Sequence, residues 1–457
     1  LNMLFPNIVT TNPATGDKIA EYKQLTNEQL ESRIYQAEKG FQLWKKAAVH
    51  ERAKFLLAVA DQLLRQKSEL AERMTLEMGK RIAEAKAEVD KCMLCCKFYA
   101  ENGPAMLEPQ KVKTEATASY VKFEPLGSVL AIMPWNFPLW QVIRFAAPAL
   151  MAGNVVLLKH ASNVSGTAVA LEELFTDAGF PSGIFQTLLV SSERVEGIIA
   201  HKTIQAVTMT GSTEAGKKVA ATAGKYLKKS VMELGGSDPF VVLADADLEK
   251  AVKMAAKARL INNGQSCIAA KRFIVEATIY EPFVDQMQMY FSRLTMGDPM
   301  LIDTDLGPLA RPDLATALEI QVHKSVKQGA RLLTGNGQAD QAYFQATVLA
   351  DVTPGMAVFD EETFGPIAAI VKANNAQHAL ELANESVFGL GASVWTNDQK
   401  LADYFIENLE VGAVFVNDMV KSDPRLPFGG LKESGYGNEL SSWGMYEFMN
   451  LKSVWKN

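Results

Sequence analysis

The chain has 457 residues, 48% hydrophobic and 21% charged, with a formal net charge of −6. That length is too great for one small core and implies two or three lobes of an ordinary globular protein. The acidic balance argues against a nucleic-acid or anionic-membrane partner, which needs a basic face, and four cysteines in such a length make no disulfide framework.

The opening "LNMLFPNIVTTNPATG" lacks a basic segment followed by a long apolar core, so no secretory leader is read and a cytoplasmic protein is expected. Residues 27–105 carry apolar residues at helical spacing, as in "ERAKFLLAVADQLLRQKSELAERMTLEMGK". Cys92 and Cys95 in "DKCMLCCKFY" match C-x-x-C, a pattern compatible with zinc or redox work. No second cysteine pair completes such a site, and with Cys96 they form an apolar stripe beside Phe98 and Tyr99; no metal is expected. From Glu115, "EATASYVKFEPLG" alternates and then turns, which predicts a strand or hairpin. "SVLAIMPWNFP" reads as an apolar strand ending in a loop held between prolines. The long apolar runs here are broken by Pro134, Asn136, Pro138, Arg144, Pro148 and Gly153, so neither is a membrane span.

From 139 to 247, helices alternate with the short apolar segments "NVVLLKH", "FQTLLV", "AVTMTG", "VMELGG" and "PFVVLAD". From about 248 the alternation resumes with "RFIVEAT", "ARLLTG", "AAIVKAN", "GASVWT" and "GAVFVN", and the tail 440–457 is short and aromatic-rich. Such alternation predicts α/β lobes built on open parallel sheets. Without a long linker the lobes must pack together, with a ligand cleft between them.

Cys267, in "NNGQSCIAAK", stands apart from the other cysteines. If a helix resumes after "NGQS", the thiol sits near a helix N-terminus, where the dipole favours the thiolate that nucleophilic work requires. A plain buried thiol fits the position equally well. None of the five histidines has a partner motif, which weakens a Cys–His hydrolase. Glu233, in "VMELGGSDP", ends a strand beside two glycines, a position suited to a general base. Gly211 and Ser212, in "MTGSTEAGKK", lead into a helix start whose free N–H groups can hold a phosphate, although no G-x-G-x-x-G is present. Asn136, between two prolines, offers the rigid amide that a developing oxyanion needs.

Taken in order, "PWNFP", "TGSTEAG", "ELGG", "NNGQSC", "EETFGP" and "PFGGLKESGYG" resemble the aldehyde dehydrogenase superfamily, and the likeness runs from "NPATG" to the tail. The resemblance implies a Rossmann-like cofactor domain (1–111 and 127–235), a second α/β catalytic domain (236–428), and a small β oligomerisation arm with the C-terminal tail (112–126 and 429–457). It implies that Cys267 attacks an aldehyde, that Asn136 and the Cys267 N–H hold the oxyanion, and that Glu233 activates the water that hydrolyses a thioester. For the cofactor, NAD or NADP, it implies Trp135 and Ser212 at the pyrophosphate, with Gly211 and Leu234 also among the cofactor-binding residues. Glu362 would lie at the nicotinamide ribose, Phe364 against the ring and Lys159 at the adenosine ribose. Many NAD-preferring members carry proline after that lysine and then a glutamate; here His160, Ala161 and Ser162 follow. A glutamate would repel a 2′-phosphate and Ser162 would not, so NAD or NADP use is expected, with NADP at least tolerated.

Arg144 lies eight residues after Asn136, an offset at which succinate-semialdehyde dehydrogenases place an arginine on the distal carboxylate. From its position alone, Arg144 faces a substrate tunnel or, as the alternative, makes a surface ion pair. A second arginine expected six residues before the nucleophile is Ile261 here, and a redox-regulatory cysteine two residues after it is Ala269. Ser422 and Arg425, in "VKSDPRLPFGG", lie close enough in sequence to the motif to assist with the acid. The expected reaction is oxidation of a short semialdehyde acid, succinate semialdehyde first. A broad aldehyde dehydrogenase with Trp140 and Phe428 lining an apolar tunnel, a non-catalytic binding protein on this fold, and a cysteine hydrolase are the alternatives. The resemblance implies a homodimer or homotetramer.

Overall fold

A computed structural model describes residues 5–457; the first four residues of the expected cofactor domain lie outside the described residues. Helical spacing over 27–105 becomes four helices, Asn27–Trp44, Val49–Arg65, Lys67–Met78 and Ile82–Met106. The first is opened by a reciprocal cap in which Thr26 Oγ1 accepts from the Gln29 N–H and the Gln29 side chain accepts from the Thr26 N–H. The third ends at Gly79 in the left-handed conformation. The fourth buries Cys92, Cys95 and Cys96 together.

Two open sheets carry the molecule. The first has six strands in the spatial order Gly435–Tyr436, Lys229–Glu233, Ile204–Thr210, Ser128–Met133, Val155–His160, Phe185–Thr187. All pairs are parallel except the short Gly435–Tyr436 edge. The chain moves outward from Ser128–Met133 on one side and returns to its other side at Ile204–Thr210, so the strand order reverses there. Ligands of open α/β sheets bind at such a reversal, beyond the carboxyl ends of the strands. Those ends lead into Trp135 and Asn136, Lys159, Ser212 and Glu233.

The second sheet has seven strands in the order Arg331–Thr334, Thr347–Ala350, Ile367–Ala373, Arg272–Glu276, Pro239–Val242, Gly391–Trp395, Ala413–Val416. Only the Arg331–Thr334 edge is antiparallel. "PFVVLAD", which runs on from the first series in sequence, belongs to this second sheet; "ELGGSD" crosses directly from one sheet to the other. Thr347–Ala350 is a strand the sequence pattern did not disclose, because four fully buried residues show no alternation. The second sheet turns the amino ends of its strands towards the carboxyl ends of the first. Leu234–Asp238, Gln265–Lys271 and Glu361–Pro366 all lie at that junction.

The strand expected after Glu115 is Ala118–Pro125. It pairs briefly with Gln110–Lys111, and along its full length with Met449–Lys456 at the C-terminus. No described helix is long and apolar enough to cross a membrane.

His160 ties the first sheet to the proline-bracketed loop. Its Nδ1 accepts from the Ala161 N–H at 3.0 Å, so Nε2 carries the proton and donates to the Pro138 carbonyl at 2.8 Å. Burial lowers its pKa to about 4. Between pH 6.5 and 4 the unfolded chain therefore takes up a proton that the folded chain refuses. The stability is fully present above pH 6.5 and is lost as the pH falls through about 4. His160→Gln is expected to suffer roughly 2–3 kcal/mol less acid destabilisation between pH 7 and 4.5 than the parent. Chemical unfolding at the two pH values checks this; equal losses in both proteins would contradict it.

Candidate active site

The loop after Met133 is fixed from beneath by buried charge. Glu88 Oε1 accepts from the N–H groups of Leu139 and Trp140, both at 2.9 Å, which caps the helix Trp140–Ala152. Lys80, fully buried, neutralises Glu88 and lies 4.0 Å above the Phe137 ring. Asn136 is held in turn: its Nδ2 donates to the Gln265 carbonyl at 3.1 Å, and its own carbonyl accepts from Asn262 Nδ2 at 2.7 Å.

Cys267 does not lie at a helix N-terminus, contrary to the expectation. Residues 265–271 form a turn that enters the strand Arg272–Glu276. The chain arrives through three consecutive left-handed residues, Asn262, Asn263 and Gly264, with φ of 53°, 56° and 78°. Asparagine tolerates this conformation because its side chain bonds locally, while a Cβ at Gly264 would lie 2.2 Å from the Gly365 carbonyl oxygen. Lys271, fully buried, then donates to the carbonyls of Ser266, Cys267 and Ala269 at 2.9, 2.9 and 3.0 Å. Those carbonyls are thereby withdrawn from helix formation. Arg259 donates to the Gly264 carbonyl at 2.8 Å. Among the described residues nothing accepts the Cys267 N–H.

The thiol is 9% exposed, and burial pushes its pKa up to about 12; Arg144 and Lys271 pull against burial, Glu233 and Glu362 with it. Nearby cations thus supply the assistance expected of a helix dipole. Glu233, at the end of its strand, is buried with both carboxyl oxygens unpartnered. Burial first, and then the neighbouring Glu439, raise its pKa well above the usual range, while Arg144 opposes them.

Arg144 is not in a surface pair. It forms an ion pair with Glu439 in which both side chains are 2% exposed, and its guanidinium lies 4.6 Å from the Phe428 ring centroid. It nevertheless lines a cavity of about 1100 Å³ together with Cys267, Phe137, Trp140, Phe428 and Ser422. Arg425 is a correction: its guanidinium is captured by Asp423 through bonds of 2.8 and 2.6 Å, and its side chain is 75% exposed, away from that cavity. An acid two residues away in the same loop outcompetes a more distant ligand.

On the far side of Cys267 lie the groups expected around a dinucleotide. Trp135 and Phe364 meet edge to face at 5.8 Å. Glu362 Oε1 accepts from the Gly236 N–H at 2.9 Å and stands 3.9 Å from Lys271 Nζ, so it bridges the two sheets. Ser212 Oγ caps the helix Thr213–Lys225, and the Gly211 N–H donates to the Glu233 carbonyl. Leu234 packs on Gly216, where a Cβ would meet it at 2.3 Å. Lys159 is buried at the carboxyl end of its strand, its ammonium has no ionic or hydrogen-bonding partner among the described residues, and burial lowers its pKa. Ser162, three residues on, is exposed. A buried cation without a partner beside an open strand end suits a phosphorylated ribose. Lys271, Glu439 and Lys91, which also lines the cavity, join the site from outside the motifs. Lys271 has a faint signal, a lysine inside the apolar run "IAAKRFIV"; Lys91 has none.

A profile of the aldehyde dehydrogenase family matches residues 6–454. The chain is 48% identical to a protein of Synechocystis sp. named a probable succinate-semialdehyde dehydrogenase [NADP(+)], over 98% of this chain and 99% of that one. It is 47% identical to the Escherichia coli succinate semialdehyde dehydrogenase [NAD(P)+] Sad, over 98% of each. Its fold superimposes on succinic semialdehyde dehydrogenase from Streptococcus pyogenes in complex with NADP+ with a TM-score of 0.95, at 35% identity over 98% of this chain and 99% of the other.

Because the Cys267 pKa stands near 12, its thiolate fraction grows about tenfold per pH unit below that value. Iodoacetamide labelling of Cys267 in the cofactor-free protein, followed by peptide mass spectrometry, is expected to accelerate steadily from pH 6 to 10. A plateau below pH 8 would contradict this. The other three cysteines are fully buried and are expected to stay unlabelled.

Proposed function

The chain belongs to the aldehyde dehydrogenase family, and from that premise we propose that it oxidises succinate semialdehyde to succinate, using NADP and also accepting NAD. The observation that carries the reading is one cavity lined by both the Cys267 thiol and the buried Arg144 guanidinium, with the buried Glu233 carboxyl close enough to act electrostatically on the thiol. The names and high identity of the relatives support the same substrate and cofactor.

In this reading Cys267 Sγ attacks the aldehyde carbon. The oxyanion of the thiohemiacetal is held by the Cys267 N–H and by the Asn136 amide hydrogen not used by Gln265. The bound nicotinamide supplies the hydride acceptor. Trp135, Ser212, Gly211 and Leu234 shape its approach, Glu362 and Phe364 orient the reacting end, and Lys159 with Ser162 receives the adenosine ribose and its 2′-phosphate. The resulting thioester is hydrolysed by a water whose proton passes to Glu233. Glu233 must first be ionised, which its burial resists and Arg144 favours. Arg144 directs its remaining N–H groups to the substrate carboxylate, Ser422 adds a hydroxyl, and Trp140 and Phe428 wall the aliphatic chain.

We place the enzyme in the cytoplasm, where the soluble nicotinamide pool is, and propose a homodimer or homotetramer. The sheet of Ala118–Pro125 and Met449–Lys456 supports assembly, since it carries Leu451 and Trp455 exposed.

A coupled assay tests the whole reading. Succinate semialdehyde is expected to exceed propanal and benzaldehyde by about tenfold or more in kcat/KM, each tenfold step being about 1.4 kcal/mol of transition-state binding. Preference for the neutral aldehydes would favour the broad-specificity alternative instead. Ser162→Glu is expected to cut kcat/KM for NADP about tenfold while sparing NAD, through repulsion of the 2′-phosphate; an equal effect on both would remove Ser162 from cofactor choice.

A further inference from the structure

The cavity that holds Cys267 contains several basic side chains, and most of them already have an acidic partner. Arg144 pairs with Glu439, Arg81 with Glu84, Lys250 with Asp247 and Lys421 with Asp418. Among the described residues, Lys91 has no carboxylate within ion-pair distance, and unlike Lys253 and Lys257 on the rim it is half-buried. It projects from the helix Ile82–Met106, donates to Ser422 Oγ at 2.7 Å, and lies 4.2 Å from the Trp140 ring centroid.

Charge accounting gives this residue its meaning. Arg144 is already paired with Glu439, so an incoming carboxylate placed against Arg144 alone would compete with Glu439 for the guanidinium. We propose that Lys91 is the counter-charge for the substrate carboxylate, holding it with the Ser422 hydroxyl while Arg144 contributes hydrogen bonds, and that it sets the preference for acidic over neutral aldehydes. The inference rests on the semialdehyde-acid reading above.

The arrangement of charges agrees. Arg144 acts electrostatically on Cys267 and on Lys91, so it links the reacting end of the cavity to the carboxylate end. Burial first, then Arg144, lower the Lys91 pKa to about 8, with Cys92, Cys95 and Glu88 on its own helix opposing that change. Asp423, beside Ser422, feels the Lys91 charge but is already held by Arg425. A carboxylate from the substrate would therefore meet an ammonium not yet committed to any acid, against an indole face that excludes water and strengthens the attraction.

The test compares succinate semialdehyde with its uncharged methyl ester, methyl 4-oxobutanoate, both with NADP, in the parent enzyme, Lys91→Met and Lys91→Arg. Lys91→Met is expected to lower kcat/KM for the acid by about thirtyfold or more, mainly through KM. Turnover of the ester should stay within about threefold, which also reports that the variant is folded. Lys91→Arg should recover most of the loss. If the parent prefers the acid and Lys91→Met retains that preference, or loses both activities alike, this inference is overturned while the semialdehyde reading stands. If the parent oxidises acid and ester equally well, the semialdehyde reading fails and takes the inference with it.

Discussion

Buried backbone that is neither helix nor strand must still find hydrogen-bond donors, and the turn around Cys267 is where this protein meets that constraint. The segment passes between two sheets through three left-handed residues and then turns its carbonyls inward. Two fully buried cations answer them, and a third braces the backbone around the turn. Lys271 takes three carbonyls of the turn, Arg259 takes the Gly264 carbonyl, and Arg272 holds Ser237, Leu382 and Ala383 around it. Hydrogen bonds from charged groups contribute about 1.5–3 kcal/mol each, enough to hold a conformation that asparagine and glycine merely permit.

That fixed turn organises the rest of the site. Its Gln265 carbonyl orients the Asn136 amide, and its Cys267 carbonyl sits so close to Gly236 that a Cβ there would approach to 2.5 Å. Glu362 reaches across to the Gly236 N–H and to Lys271, so the first sheet is tied to the second at the point where the strand ends of both converge. Glu88 and Lys80 perform the equivalent task below Asn136, capping the helix that carries Trp140 and Arg144.

Electrostatically, burial sets the site against the charged forms of its thiol and carboxyl. Burial raises the thiol of Cys267 and the carboxyl of Glu233, and Arg144 is the one cation that favours the ionised form of both. Glu439 in turn engages Arg144. A single guanidinium thus couples the Cys267 thiol, the Glu233 carboxyl and the cavity wall, which is why it cannot be treated as a free charge awaiting a substrate.

The order of motifs along the chain was sufficient for the family, and strand–helix alternation for the two parallel sheets, because both are local and periodic. Cys267, Glu233 and Asn136 could be singled out for the same reason: each lies in a short pattern of glycine, proline or strand end. Other features have no local mark. Thr347–Ala350 is too short and too buried to alternate. The placement of Cys267 in a turn depends on Lys271 bonding three carbonyls, which no helical or strand period encodes. The isolation of Arg425 depends on Asp423, and the pairing of Arg144 with Glu439 joins segments almost 300 residues apart in sequence. Lys91 is one polar residue on a long helix until the fold turns it towards Ser422 and Trp140. Residue type and spacing determined which chemical groups the chain carries. Only the tertiary structure decided which of those charges are already neutralised, because pairing and burial depend on neighbours that sequence distance does not reveal.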